Sequence, residues 1–331
     1  MADFAHLNLL GRSILFLGAL SLIEKFAASD HTVLIQGETG TGKELAARAI
    51  HYLGARRRFP FIPLNCGTLP DTLVESELFG HVRGAFTDAR EAAAGIIAQA
   101  RGGTLFLDEI EAISMRGQVA LLRFLQDKQY RSVGGTSVIA ADVRVICATN
   151  LDLGAMARMG RLRADLLYRI NALAISLPPL RQRTGDVMVL AEHFLDRLNR
   201  ESKGPPKRLH PESEAPLIAH DWPGNVRELE NVLLRHYLLE PGPQIRIASV
   251  EIVSDQHEAT KTSKQPVLGF KAAKAQAVAI FEKSYLTILL QNSGGNLSLA
   301  SRWASKDRSD LSKLMRKYGL QRREFETRAT T

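Results

Sequence analysis

Residues 37–44 read Gly37-Glu38-Thr39-Gly40-Thr41-Gly42-Lys43-Glu44, directly after the apolar run Thr32-Val33-Leu34-Ile35-Gln36. Glycines at this density let successive backbone N–H groups curl around an anion. The helical periodicity after Lys43 puts a helix N-terminus, with its favourable partial charge, behind them. A buried strand, a glycine-rich loop and a helix in that order predict an α/β fold with a phosphate-binding loop. Lys43 supplies a point charge for the outer phosphates of a nucleoside triphosphate. Glu44 stands where a Ser or Thr is usual.

Further along, Gly102-Gly103-Thr104-Leu105-Phe106-Leu107-Asp108-Glu109 is a second apolar strand, ending in adjacent carboxylates. Open parallel sheets bind ligands at the carboxyl ends of their strands. There Asp108 is suited to hold Mg²⁺, directly or through water, and Glu109 to orient and deprotonate an attacking water. Other strand-like runs are Phe61 to Leu64, Val143 to Ala148 and Ala174 to Leu177, with helical periodicity between them. The alternation predicts a parallel sheet with helices on both faces. Residues 1–177 form this α/β subdomain, and 178–240, purely helical in pattern, a lid. Residues 241–266, with prolines, serines and mixed charge, read as a linker, and 267–331 as a separate all-α domain.

The formal charge is +8 over 331 residues, and its placement is uneven. Nine Lys or Arg against four acidic residues lie between Leu297 and Thr331, which suggests a polyanionic partner or a solvated terminus. Cys66 and Cys147 read as reduced core thiols of a cytoplasmic protein. Ser13 to Ile23 has the apolarity of a secretory h-region, but Asp3 precedes it and Leu15, Ala19, Leu22, Ile23 and Phe26 fall at helical spacing, so it reads as a core helix. No run has the length of a membrane span. Near the C-terminus Asn296 caps a short helix containing Ala300 and Ala304. A second helix from about Arg308 to Tyr318 buries Leu311, Leu314, Met315 and Tyr318. Arg308, Ser309, Ser312, Lys313, Arg316 and Lys317 lie largely off that stripe, as in a helix-turn-helix whose second helix enters the major groove. A small helical hairpin used for dimerisation would share the pattern.

With these segments in view, the chain resembles the bacterial sigma-54-dependent transcription activators, enhancer-binding AAA+ ATPases with a Fis-like helix-turn-helix. The likeness runs from Leu10-Gly11-Arg12-Ser13 to Tyr318-Gly319-Leu320, and Glu44 is normal in that family. Its most specific element is Glu77-Leu78-Phe79-Gly80-His81-Val82-Arg83-Gly84-Ala85-Phe86-Thr87-Asp88-Ala89. This is similar to the loop with which the family engages the sigma factor, implying contacts from Gly84, Ala85, Phe86, Thr87, Asp88 and Ala89, with Phe86 exposed at the tip. Asp88 replaces a glycine of the commonest form, Val82 an acidic residue and, further on, Ala98 a glutamate.

The resemblance also implies roles residue by residue. Asn65 restrains the catalytic glutamate, and Thr149 and Asn150 sense the γ-phosphate. Arg163 and Arg169 are arginine fingers donated to a neighbouring subunit, and Arg227, within Trp222-Pro223-Gly224-Asn225-Val226-Arg227-Glu228-Leu229, reaches the nucleotide from the lid. Read without the family, Asn225 is a helix cap. The implied cofactors are ATP and Mg²⁺, and the implied assembly is a homo-oligomeric ring, typically a hexamer. The implied partners are the sigma-54 RNA polymerase holoenzyme and upstream enhancer-like DNA. The ATPase begins within about ten residues of Met1, like the phage-shock type of activator that lacks an N-terminal regulatory domain. That arrangement implies control by a separate protein acting in trans, or by expression level. Two rivals are a DNA-binding regulator of the same descent acting by occupancy alone, and an AAA+ remodeller of another class. The Gly84–Ala89 loop argues against both, and the Fis-like end against the second.

Overall fold

The computed structural model describes residues 4–70, 73–86, 89–202 and 204–250, and, nearer the C-terminus, 285–286, 289–290, 293, 296–304 and 306–319. The chain divides near residue 252 into two compact units. In the first, five parallel strands form one sheet: β1 (Val33–Gln36), β2 (Phe61–Asn65), β3 (Thr104–Asp108), β4 (Arg144–Thr149) and β5 (Leu173–Ser176). Their order is β2-β3-β4-β1-β5. Each lies within a residue or two of its sequence-predicted bounds.

The three central strands, β3, β4 and β1, are buried on both faces and mostly apolar, while the edge strands β2 and β5 are partly exposed. Side chains alternate between faces, so Leu34, Leu105, Leu107, Val145 and Cys147 join one core. Val33, Ile35, Phe106, Ile146 and Ile175 join the other. Helices α1 (Ile14–Ala27) and α2 (Lys43–Tyr52) close the second core. Helices α3 (Val74–Phe79), α4 (Met115–Asp127), α5 (Leu153–Arg158) and α6 (Ala164–Ile170) close the first. Cys66 and Cys147 are buried free thiols. Burial, with the Asp108, Glu111 and Glu109 carboxylates adding to it, pushes Cys66 up to about 12. Ala98 packs against the first core, which suits a methyl group and not the family's glutamate.

The stripe on α1 differs from the predicted one. Phe16, Ala19, Leu20, Ile23 and Ala27 face the core, while Leu15 is exposed. Phe16 sets this rotation: its ring lies under the Arg183 guanidinium, 3.7 Å from ring centroid to carbon. Arg183 in turn pairs with Asp186 at 2.9 Å, both buried. Asp186 also accepts from Arg12 N (2.6 Å), Ser13 N (3.0 Å) and Ser13 Oγ (3.0 Å), capping the start of α1 from another subdomain. Gly11 has no room for a side chain, since a Cβ there would lie 2.4 Å from Asp186 Oδ2. Asp186→Ala would leave a buried guanidinium unpaired. We expect it to cost about 3–5 kcal/mol of stability, read from the urea midpoint.

The lid comprises α7 (Asp186–Glu201), α8 (Glu214–Ala219) and α9 (Asn225–Leu239) around the fully buried Trp222, whose indole N–H donates to Leu217 O at 2.9 Å. The lid is not purely helical, and the stretch read as a linker from residue 241 begins inside it. Arg208–Leu209 pairs in parallel with Gln244–Ile245, and Ile245 and Ile247 are buried in the lid core. Prolines and glycine around a two-residue strand hid this from periodicity. Residues 251–266 of that stretch lie outside the described residues.

In the second unit α10 (Leu297–Trp303) is capped by Asn296, whose Oδ1 accepts from Leu299 N at 3.2 Å. Helix α11 (Arg308–Lys317) buries Leu311 and Met315. Leu286, Leu289 and Ala300 join that core, with Ala304, Leu314 and Tyr318 packed around it. Among the described residues no helix is long and apolar enough to cross a membrane.

Candidate active site

The carboxyl ends of four strands converge on one cavity. Strand β1 runs into the 37–44 loop, and Gly37 N donates to Thr149 O at the end of β4. Asn65, ending β2, is in register with Asp108, ending β3. A cavity of about 340 Å³ opens here, within the range of small-ligand pockets. It is lined by Thr39 to Leu45, Asn65, Asp108, Glu109 and Asn150, by Arg183, Arg227 and Glu230 on the lid side, and by Asn8 to Leu10.

The loop adopts the conformation its glycines permit, with φ of +80° at Gly40 and +95° at Gly42. Gly40 also passes hard against the lid, since a Cβ on it would meet Gly224 O at 2.2 Å. The Lys43 ammonium folds back over the loop and donates to Gly37 O (2.9 Å) and Glu38 O (3.2 Å). Burial pulls it below the ordinary lysine range, with Asp108, Glu111 and Glu109 opposing the shift. Thr41 Oγ1 donates to Glu38 O at 2.7 Å. Glu44, at the cavity rim, is exposed and paired with Arg48 at 2.7 Å.

Asp108 Oδ1 accepts from the N–H of Glu109 at 3.0 Å, and among the described residues Oδ2 carries no hydrogen bond. Glu109 has φ +52°, a left-handed conformation unusual for glutamate, of the kind that collects at functional sites. Its carboxylate reaches over Gly67, where an added Cβ would lie 2.7 Å from Glu109 Oε2 and 3.1 Å from Asn65 Oδ1. Asn65 Oδ1 is taken by Gly67 N at 2.7 Å, and no hydrogen bond joins Asn65 to Glu109. Thr149 and Asn150, both expected to sense the γ-phosphate, part company. Asn150 lines the cavity and donates to Thr39 Oγ1 at 3.1 Å, whereas Thr149 is buried with its hydroxyl on Leu151 N. Sequence reading missed Glu111. Among the described residues its Oε2 is buried without a hydrogen-bond partner, and its Oε1 lies 3.5 Å from Asn150 N.

Arg163 and Arg169 do not line the cavity of their own chain. Arg163, at the start of α6, pairs with Asp165 (2.7 Å), and Arg169 donates to Leu125 O (2.8 Å). Tyr168 beside them is 81% exposed and Met159 71%, an apolar, solvent-facing edge.

The Gly84–Ala89 loop stands on a two-residue hairpin, Gly80–His81 with Ala93–Ala94. It is stitched by Gly84 N to Ala89 O (2.8 Å) and tied to a second loop by Val82 N to Val133 O (3.1 Å). Ala85 is half-buried, and Thr87 and Asp88 lie outside the described residues. Phe86 is half-buried and not fully exposed, because its ring packs edge-on against His81, centroids 4.9 Å apart. In the second unit Arg308, Ser309, Lys313, Arg316 and Lys317 are exposed along α11, while Ser312 is half-buried and turns its hydroxyl back to Arg308 O (2.9 Å).

Residues 9–176 match the family model of the sigma-54 interaction domain, and residues 181–266 that of the AAA+ ATPase lid domain. The transcriptional regulatory protein ZraR of Escherichia coli K12 is 42% identical over 90% of this chain and 66% of its own length. The nitrogen fixation protein AnfA of Azotobacter vinelandii is 38% identical over 97% of this chain and 59% of its own. The chain thus spans about two-thirds or less of these relatives. Among solved structures, NtrX of Brucella abortus in complex with ADP superposes with a TM-score of 0.69 at 31% identity, covering 95% of this chain and 69% of that one.

Proposed function

Because the chain belongs to the sigma-54 interaction domain family of AAA+ ATPases, we propose that it hydrolyses ATP to remodel the closed complex of sigma-54 RNA polymerase into an open one. The observation that carries this reading is the convergence of Lys43, Asp108, Glu109 and Asn150 with the lid's Arg227 on one cavity, in the subdomain that also bears the Gly84–Ala89 loop.

The loop N–H groups and Lys43 hold the phosphates, and Arg227 approaches them from the lid. Asp108, whose Oδ2 carries no hydrogen bond among the described residues, would hold Mg²⁺, which would neutralise charge on the phosphates. Glu109 takes the proton of the attacking water. Asn150 sits where it can report the loss of the terminal phosphate, and Thr149 backs it through the Leu151 backbone. Arg163 and Arg169 complete the site of a neighbouring copy in a ring, and the apolar edge at Tyr168 and Met159 suits burial against that copy. The α11 residues Arg308, Ser309, Ser312, Lys313, Arg316 and Lys317 bind upstream DNA, the charged ones through phosphates, base edges or both.

Open-complex formation on a supercoiled sigma-54 promoter tests the reading. Phe86→Ala is expected to keep ATP turnover and lose open complexes, and Glu109→Gln to lose both. Activation that survives either substitution would sink the mechanism.

A further inference from the structure

Asn225 opens α9, where an asparagine is expected to cap its own helix and face water. It does neither. The residue is fully buried, and its side chain makes no cap bond. Glu228 does that work instead, reaching back to Gly224 N at 2.8 Å. The Asn225 amide is directed away from its helix. Its Oδ1 accepts from Leu180 N (2.8 Å), and its Nδ2 donates to Thr39 O (3.0 Å) and Glu38 Oε2 (3.2 Å). Only this amide orientation satisfies all three, since flipping it would set NH₂ against N–H and oxygen against carbonyl and carboxylate. The backbone there has φ +52°, a region that asparagine tolerates better than most residues.

The three partners belong to two different parts of the ATPase. Leu180 opens the lid just after β5, while Glu38 and Thr39 are the phosphate-binding loop. Two further contacts run in parallel. Val226 N donates to Gly40 O at 3.0 Å, and Arg181 pairs with Glu38 at 2.8 Å. Thr39 and Gly40 of that loop line the cavity, and so does Arg227, two residues beyond Asn225. A lid that shifts must therefore carry residues 38–40 with it or break the Asn225 bonds.

We propose that Asn225 is a positioning residue that makes lid position and phosphate-loop conformation a single coordinate, so that nucleotide affinity depends on where the lid stands. This rests on the reading of the cavity as an ATP site.

The test uses the full chain with Mg²⁺ and fluorescent mant-ATP and mant-ADP. Asn225→Asp keeps the acceptor for Leu180 N, loses both donors to the loop, and sets a second carboxylate against Glu38. The expected result is a rise in KM for ATP and in mant-nucleotide Kd of about tenfold, with kcat changed much less and Tm lowered by only a few degrees; losing one or two net hydrogen bonds at a buried site is of that order. Adding Glu38→Gln to Asn225→Asp should recover much of the affinity, because it removes the like-charge contact. Asn225→Asp with wild-type Kd and KM overturns the proposal. So does a collapse in Tm that Glu38→Gln does not relieve, which would make Asn225 a folding residue only. If the unsubstituted chain fails to bind mant-ATP, the ATP-site reading falls first and this one with it; if the unsubstituted chain binds and Asn225→Asp binds equally, only this one falls.

Discussion

Arg163→Ala and Arg169→Ala are each expected to lower ATP turnover by about 10³–10⁵-fold, the range known for an arginine that stabilises transition-state charge from outside the site. Neither side chain lines its own cavity, and each has only a modest local role. The Arg163–Asp165 pair is exposed, a class that contributes little to stability. Arg169 bonds one backbone carbonyl at the end of α4. Folding should therefore survive both changes, and the loss should be one of chemistry. Mixing decides whether the arginine acts in trans. Arg169→Ala chains keep an intact cavity but donate no guanidinium, whereas Glu109→Gln chains donate one but lack a base. Combined, the two inactive preparations should regain phosphate release well above their sum. Mixtures as inactive as their components would show that these arginines serve their own chain.

Glu109→Gln is the second large effect. We expect turnover to fall by about 10²–10⁴-fold, the usual contribution of a positioned general base. Mant-ATP affinity should stay close to that of the unsubstituted chain, because the loop, Lys43 and Asp108 are untouched. Glutamine is nearly isosteric and as tolerable as glutamate at φ +52°, so the backbone turn after Asp108 has no reason to change. Stopped-flow phosphate release and equilibrium mant-nucleotide titration separate the two quantities. Weakened binding in parallel with lost turnover would assign Glu109 to ligand holding instead of water activation.

Much of this architecture is legible in the residues alone, for a physical reason. Strands buried on both faces are mostly apolar, so Val33–Gln36, Thr104–Asp108 and Arg144–Thr149 announce themselves, and the polar residues at their carboxyl ends mark the ligand edge of the sheet. Glycine-rich turns carry their own signature. What stays hidden depends on contacts far apart in the chain. The orientation of α1 is set by Arg183 stacked on Phe16, which no local periodicity encodes. Gln244–Ile245 is too short to show alternation and exists because Arg208–Leu209 offers it an edge. Asn225 looks like a cap because its helix start is visible while the loop it reaches, 186 residues earlier, is not. Phe86 sits half-covered because His81, five residues back across a hairpin, offers its ring. Glu111 shows no motif, and only the fold brings it beside Asn150.

The capping of α1 by Asp186 also has a consequence in time. Ser13 and Asp186 are 173 residues apart, so the helix that opens the domain waits for its cap until the far side of the sheet has been made. At roughly 5–20 residues per second on the ribosome, the delay is on the order of ten to thirty-five seconds. Throughout it Phe16, Leu20 and Ile23 have neither the Arg183 guanidinium nor the finished β5 to pack against. The cap of α1 can therefore form only once the first turn of α7 has emerged.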